Sequence, residues 1–225
     1  MRVATYNIRS LRDDAEAVTR VIRRLEADLI CIQEAPRFLA WRRRCRWLAT
    51  RCGLVVISGG RAAAANLLLA RPSVTVHRTS EIKFTRDRGL SLRGAAFADV
   101  SVGPVRLVLI GTHLDGVDEP RLRHINELRR ATRAFLATPV PYVIGVDVNA
   151  EPGSPSWARL QELGRDAAAV TSTGSTLTNQ PRSPTRRIDA LFVHGFDVLD
   201  TRAVDSEDVN DASDHRPVFA TLILT

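Results

Sequence analysis

The chain has 225 residues, 44% of them hydrophobic and 25% charged, which suits one globular α/β domain and excludes a disordered or fibrous chain. No apolar run reaches membrane-spanning length, and the opening Met1–Ile8 reads as a strand, so the expectation is a single domain over 1–225 in the cytoplasm. A net charge of +7 invites an anionic partner, nucleic acid first, although the near-exclusive use of arginine (Lys83 is the one lysine) also fits a coding bias.

In chain order, Arg2 to Ile8 predicts a strand. A helix over 13–26 follows, with Val18, Val21, Ile22 and Leu25 on one face and Asp13 or Asp14 as cap. Asp28 to Gln33 is a short buried strand, and strand–helix–strand argues for an α/β core. Helical spacing through Arg37–Trp47 predicts Phe38, Trp41 and Cys45 facing inward below an arginine-rich outer face. Extended segments are expected at 54–58, 66–70, 74–77, 93–100 and 105–111, with turns at Gly59-Gly60, Arg71-Pro72 and Gly103-Pro104. A second helix is predicted over 120–137, within which His124 is expected to face solvent. Then come a strand at 142–146, a short helix opened by Ser154-Pro155, and strands at 188–193, 198–203 and 217–224. So many strands, mixing βαβ units with meanders, predict two packed sheets flanked by helices. The three cysteines lack metal spacing; Cys31 reads as a buried thiol, and only an oxidising compartment would pair Cys45 with Cys52.

Polar residues gather where strands end. Asn7 and Glu34 close the first two strands, and His113 follows the strand ending at Gly111. Asp147 and Asn149 follow Val146, Asp189 begins a strand, and Asp214 and His215 stand just before the last one. Each alone is ordinary turn or cap chemistry. Together they supply the carboxylates, amides and imidazoles of a hydrolytic metal site held on a rigid rim.

The ordered fragments Thr5-Tyr6-Asn7, Ile32-Gln33-Glu34, Gly111-Thr112-His113-Leu114, Asp147-Val148-Asn149, Arg187-Ile188-Asp189 and Ser213-Asp214-His215 resemble the endonuclease/exonuclease/phosphatase superfamily over nearly the whole chain. The resemblance implies a four-layer α/β/β/α sandwich and a divalent-metal-dependent phosphoesterase using Mg²⁺ or Mn²⁺. It implies Glu34 as principal metal ligand, with Asn7 beside it and Asp214 adding a contact. By the same resemblance Asp147 orients the attacking water and Asn149 holds a phosphate oxygen. Asp189 supports His215, and His113 stabilises the phosphate or serves the leaving group; which histidine is acid and which base stays open. Arg88 and Arg93 are the candidate substrate-phosphate arginines, and Glu81 is a candidate acidic partner for His113.

Two departures stand out. Val146 replaces the usual glycine and is expected to crowd the rim, while His113 stands where abasic-site endonucleases carry tyrosine, which disfavours that activity. Charge favours DNA or RNA as substrate, whereas 5% aromatic residues argue against a stacking platform for single strands. A small or lipid-derived phosphoester remains the alternative, and a non-catalytic nucleic-acid-binding module the second. No obligate protein partner is indicated.

Overall fold

The computed structural model of the chain describes residues 1–136 and 140–225. Strand β1 (Arg2–Asn7) leads through helix α1 (Ala15–Leu25) to β2 (Leu29–Gln33), and β1 and β2 pair in parallel as a crossover unit must. Asp14 caps α1, accepting from the backbone N–H groups of Glu16 and Ala17 at 2.8 and 3.0 Å. Helix α2 (Trp41–Arg51), β3 (Val55–Gly60) and β4 (Asn66–Ala70) follow. After them come β5 (Thr75–Lys83), β6 (Gly94–Val102), β7 (Val105–His113), α3 (Asp118–Phe135) and β8 (Tyr142–Asp147). The remainder comprises α4 (Pro155–Gln161), β9 (Arg165–Asp166), α5 (Ala167–Val170), β10 (Asp189–His194), β11 (Phe196–Ala203), α6 (Glu207–Ala212) and β12 (Val218–Leu224).

Two six-stranded mixed sheets result, ordered β11-β12-β1-β2-β4-β3 and β5-β6-β7-β8-β10-β9. Three apolar layers hold the sandwich. One lies between the first sheet and α1, α2 and α6; one lies between the sheets; the third lies between the second sheet and helices α3 and α4. Each fully buried Val, Leu, Ile or Phe side chain in them stabilises the fold by roughly 1.5–3 kcal/mol. The predicted α/β/β/α architecture is the one found.

Strand alternation decides which side chains meet between the sheets. Val3 and Thr5 of β1 point inward, as do Leu29 and Cys31 of β2, Leu107 and Leu109 of β7, and Leu191 and Val193 of β10. The sheets pack tightly where β7 and β8 lack a side chain. A Cβ on Gly145 would stand 2.6 Å from the Cys31 Cβ and 2.7 Å from its Sγ, and one on Gly111 would meet Leu68 at 2.7 Å. Val146, the expected obstruction, alternates to the other face and is buried against the α3 and α4 layer, so it leaves the rim clear.

Other expectations need correction. His124 is not exposed: it is 2% accessible, stacks on Phe84 with ring centroids 5.1 Å apart, and pairs through Nε2 with the Thr85 carbonyl at 3.0 Å. Phe38 lies before α2 and is 72% exposed, whereas Trp41 and Cys45 do pack on the core. The predicted start of the second helix at Pro120 falls two residues late, and its expected end at Ala137 lies outside the described residues. Strand β5 runs on to Lys83, and β9, α5 and α6 carried too few residues to announce themselves. All three cysteines are buried free thiols.

Because Gly145 faces Cys31 without room for a methyl, Gly145→Ala is expected to destabilise the protein by about 1–3 kcal/mol in urea unfolding. An unchanged midpoint would show that the sheets yield there.

Candidate active site

The alternation that packs the inter-sheet core also delivers the polar cluster at its rim. Asn7 continues the inward series of Val3 and Thr5, and Asp147 that of Val143 and Gly145. His113 continues Leu107, Leu109 and Gly111, and Asp189 opens the series of Leu191 and Val193. Glu34 would fall on the opposite face from Gln33, but its backbone turns left-handed, with φ of +51°, and the carboxylate comes back toward Asn7. Asn149 takes the same conformation, with φ of +54°, just past β8.

Asn7 is 1% exposed and every polar hydrogen-bonding group of its amide is engaged. Its Nδ2 donates to Asp147 Oδ2 at 2.9 Å and to Glu34 Oε1 at 3.3 Å, and its Oδ1 accepts the Arg9 backbone N–H at 3.0 Å. Asp147 Oδ2 lies 3.2 Å from His113 Nε2 and 3.9 Å from His215 Nε2, while its Oδ1 accepts the Asn149 backbone N–H at 3.1 Å. Asn149 Nδ2 donates to the Leu114 carbonyl at 3.0 Å and lies 2.9 Å from His113 Nε2. His113 Nε2 therefore meets both a donor, the Asn149 amide, and an acceptor, the Asp147 carboxylate, and it serves one or the other according to the tautomer.

Asp189 is fully buried and its Oδ2 pairs with His215 Nδ1 at 2.8 Å. Thr178 Oγ1 holds the start of β10 by accepting the backbone N–H groups of Ile188 and Asp189 at 3.0 and 3.1 Å. The two histidines therefore differ in charge. Burial opposes a proton on His215, but Asp189 and Asp147 outweigh it and push the imidazolium up to about 10. Burial dominates at His113; Asp147 only partly offsets it, and the ring is held neutral, pushed down to about 3.

Arg93 projects from just before β6, its Nε 3.9 Å from Asp115 Oδ2. That buried Nε has no hydrogen-bond partner among the described residues. Burial lowers the Arg93 pKa, against the pull of Asp147, Asp115 and Glu34. Asp214 is exposed and lies at the edge of the cluster, 3.4 Å from Arg9 Nε. Arg88 is exposed on the loop before β6, and no contact ties it to the cluster among the described residues. Glu81 is elsewhere: its Oε1 accepts from Ser58 Oγ at 3.0 Å and from the Gly59 N–H at 3.1 Å, bracing the edge of the first sheet.

Arg121 was not singled out in the sequence. It is 4% exposed, donates through Nη1 to the carbonyls of Asp115 (2.9 Å), Gly116 (3.0 Å) and Asn149 (3.0 Å), and through Nε to Ser156 Oγ (2.9 Å). It thereby ties the loops after β7 and β8 together beneath His113 and Asn149. An arginine on the face of a predicted helix otherwise apolar at Pro120, Ile125 and Leu128 was the available signal.

The half-buried Glu34 carboxylate, the Asn7 amide and the nearby Asp147 make an oxygen-rich set suited to a hard divalent cation, and Asp189 Oδ1 is buried without a partner among the described residues. Asp147, Asp189 and His215 also bring three ligand atoms within 4.8 Å of one another, but the His215–Asp189 bond already uses two of those residues as an imidazole–carboxylate pair. Sulfur plays no part, since all three cysteines lie in the packed core.

A two-sheet sandwich with carboxylates, amides and imidazoles converging at one rim is the scaffold of a metal-dependent phosphoesterase. The chain belongs to the Endonuclease/Exonuclease/phosphatase family, matched over residues 4–215. Its fold is similar to that of a functionally unknown conserved protein from Enterococcus faecalis V583, at 23% identity, full coverage of both chains and a TM-score of 0.85. A mannosyl-6-phosphatase from Bacteroides thetaiotaomicron VPI-5482 is similar at 16% identity, again with full coverage of both, and a TM-score of 0.84. D. rerio TDP2 complexed with single strand DNA product is similar at 16% identity and TM-score 0.76, covering 99% of this chain and 98% of the other. A search of curated proteins returns no match. Among the described residues no helix is long and apolar enough to cross a membrane.

The opposed shifts set a pH dependence. His215, raised, contributes stability that is fully present below its unfolded value near 6.5 and is lost as pH climbs through about 10. His113, lowered, contributes stability present above 6.5 and lost as pH falls toward about 3. Histidine-ring NMR of protein in chelator is expected to show His215 protonated through pH 8 and His113 neutral down to pH 5. Two rings titrating together near 6.5 would refute the asymmetry.

Proposed function

We propose that the protein is a phosphodiester hydrolase acting on DNA or RNA, with Mg²⁺ or Mn²⁺ held by Glu34 and Asn7 and a further contact from Asp214. The observation that carries this reading is the position of Asp147 Oδ2, 2.9 Å from Asn7 Nδ2 and 3.2 Å from His113 Nε2. That places one carboxylate oxygen between the candidate cation ligands and the imidazoles. When bound, the cation supplies charge for the phosphate oxygens and acidity for a water molecule.

The side chains divide the remaining work. Asp147 orients the attacking water and accepts its proton. Asn149 donates to a phosphate oxygen, and His113, neutral, adds a directional hydrogen bond rather than charge. The His215 imidazolium, held by Asp189, balances developing negative charge and gives a proton to the leaving oxygen. Arg93 offers its unpartnered Nε to the phosphate, a charge-assisted bond that burial strengthens. Arg88 is kept as an outer phosphate contact, reached only by a substrate extending over the loop before β6.

Net charge of +7 supports a polyanionic substrate, as does the likeness to D. rerio TDP2 complexed with single strand DNA product. The likeness to the mannosyl-6-phosphatase supports the second reading, a small phosphate ester. Incubating the protein with a labelled oligonucleotide, and separately with sugar 6-phosphates, in Mg²⁺, Mn²⁺ or chelator separates them. Oligonucleotide cleavage is expected, abolished by chelator. Glu34→Ala is expected to lower the rate at least about 100-fold, without loss of stability, because it removes one of several crowded carboxylates. Full activity in that variant, or phosphate release from the sugars alone, would overturn the reading.

A further inference from the structure

Beside the polar cluster lies a groove of about 900 Å³ whose walls are the segment between β2 and α2, the turn after β3, and the loop joining β5 to β6. Its basic side chains are Arg37, Arg61, Lys83 and Arg86, and among the described residues its lining includes no carboxylate. Arg20, Arg51, Arg106 and Arg182 elsewhere on the surface each find a carboxylate. Four cations facing one concavity repel one another and raise the local potential, a cost that an anionic occupant relieves.

The groove is also apolar where solvent should discourage it. Phe38 is 72% exposed and Leu39 is 93% exposed, and the Arg37 guanidinium lies over the Phe38 ring, 5.3 Å from its centroid. The opposite wall is braced: Thr85 N–H donates to Glu127 at 2.9 Å, His124 holds the Thr85 carbonyl, and Arg86 Nε donates to the Leu90 carbonyl at 2.8 Å. The groove borders the cluster, because Leu92 lines it while the next residue, Arg93, lies 3.9 Å from Asp115, and Arg37 lines it three residues after Glu34.

We propose that this groove seats the polynucleotide strand running away from the scissile phosphate, with one base stacked on Phe38 and backbone phosphates held by Arg37, Arg61 and Lys83. The proposal rests on the nuclease reading above and adds the seat of the substrate. Cations without counter-carboxylates match successive phosphates, and an exposed ring matches a base of any identity. Concavity favours a strand over a membrane, since apolar residues that enter lipid stand on a projecting surface. One ring is not a platform of several, so stacking at a single nucleotide is the expected mode.

The test is fluorescence anisotropy of the full chain with a labelled single-stranded oligothymidylate, in chelator so that nothing is cleaved, across a salt series. Phe38→Ala and Phe38→Leu are expected to weaken binding on the order of tenfold while Phe38→Trp retains it, and the salt slope should stay as in the parent. Arg61→Gln and Lys83→Gln should each make the slope shallower by roughly 0.7. Equal affinity and slope in every variant would overturn the groove, as would tighter binding to phosphatidylserine vesicles than to the oligonucleotide. Parallel cleavage assays in Mg²⁺ keep the two ideas apart. Cleavage with unaffected binding variants removes the groove alone; variant-sensitive binding without cleavage supports the groove and removes the nuclease reading.

Discussion

The Asn7 amide joins the two halves of the sandwich at the polar rim. Asn7, at the end of β1 in the first sheet, donates to Asp147 of the second sheet at 2.9 Å and to Glu34 beside it at 3.3 Å. The two carboxylates belong to different sheets and would repel if brought together bare. Their shared donor is buried and cannot turn, because its own oxygen is occupied by the Arg9 backbone. Such an arrangement fixes separation and direction at once, and in the proposed reading it leaves Glu34 for the cation and Asp147 for the attacking water.

That contact is available only because the sheets lie close together. Gly111 and Gly145 remove side chains where Leu68 and Cys31 pack, and Gln33 reaches across to the Gly145 carbonyl at 3.4 Å. The polar rim is thus the last row of the apolar core, with amide, carboxylate and imidazole in place of Leu and Val. Burial opposes a proton on both neighbouring imidazoles, and the carboxylates decide the outcome: at His113 Asp147 only partly offsets burial and the ring stays neutral, while at His215 Asp189 and Asp147 together outweigh it and the ring stays charged. Two rings of one residue type acquire two charge states from their surroundings.

The sequence made the strand mouths readable because strand-ending residues are local in the chain, and six short fragments in fixed order leave few alternatives. Sheet layering was legible for the same reason, through the count of alternating strands. What escaped depends on space rather than on neighbours in the chain. The return of the Glu34 carboxylate comes from a left-handed backbone that no side-chain pattern announces. His124 looked like helix surface until α3 settled against the loop before β6, and Phe38 looked like helix core although the helix begins only at Trp41. Val146 was misjudged as an obstacle because its face follows from the register of β8 with β7 and β10. Arg88, near Arg93 in the chain, lies out on an exposed loop instead of in the cluster.

Anomalous diffraction from a crystal soaked in Mn²⁺ interrogates the carboxylate–amide bridge most directly. A peak within coordinating distance of the Glu34 carboxylate and beside Asn7, lost in Asn7→Leu crystals, is the predicted result. No peak at that rim, or a peak unaffected by the loss of the amide, would contradict the account.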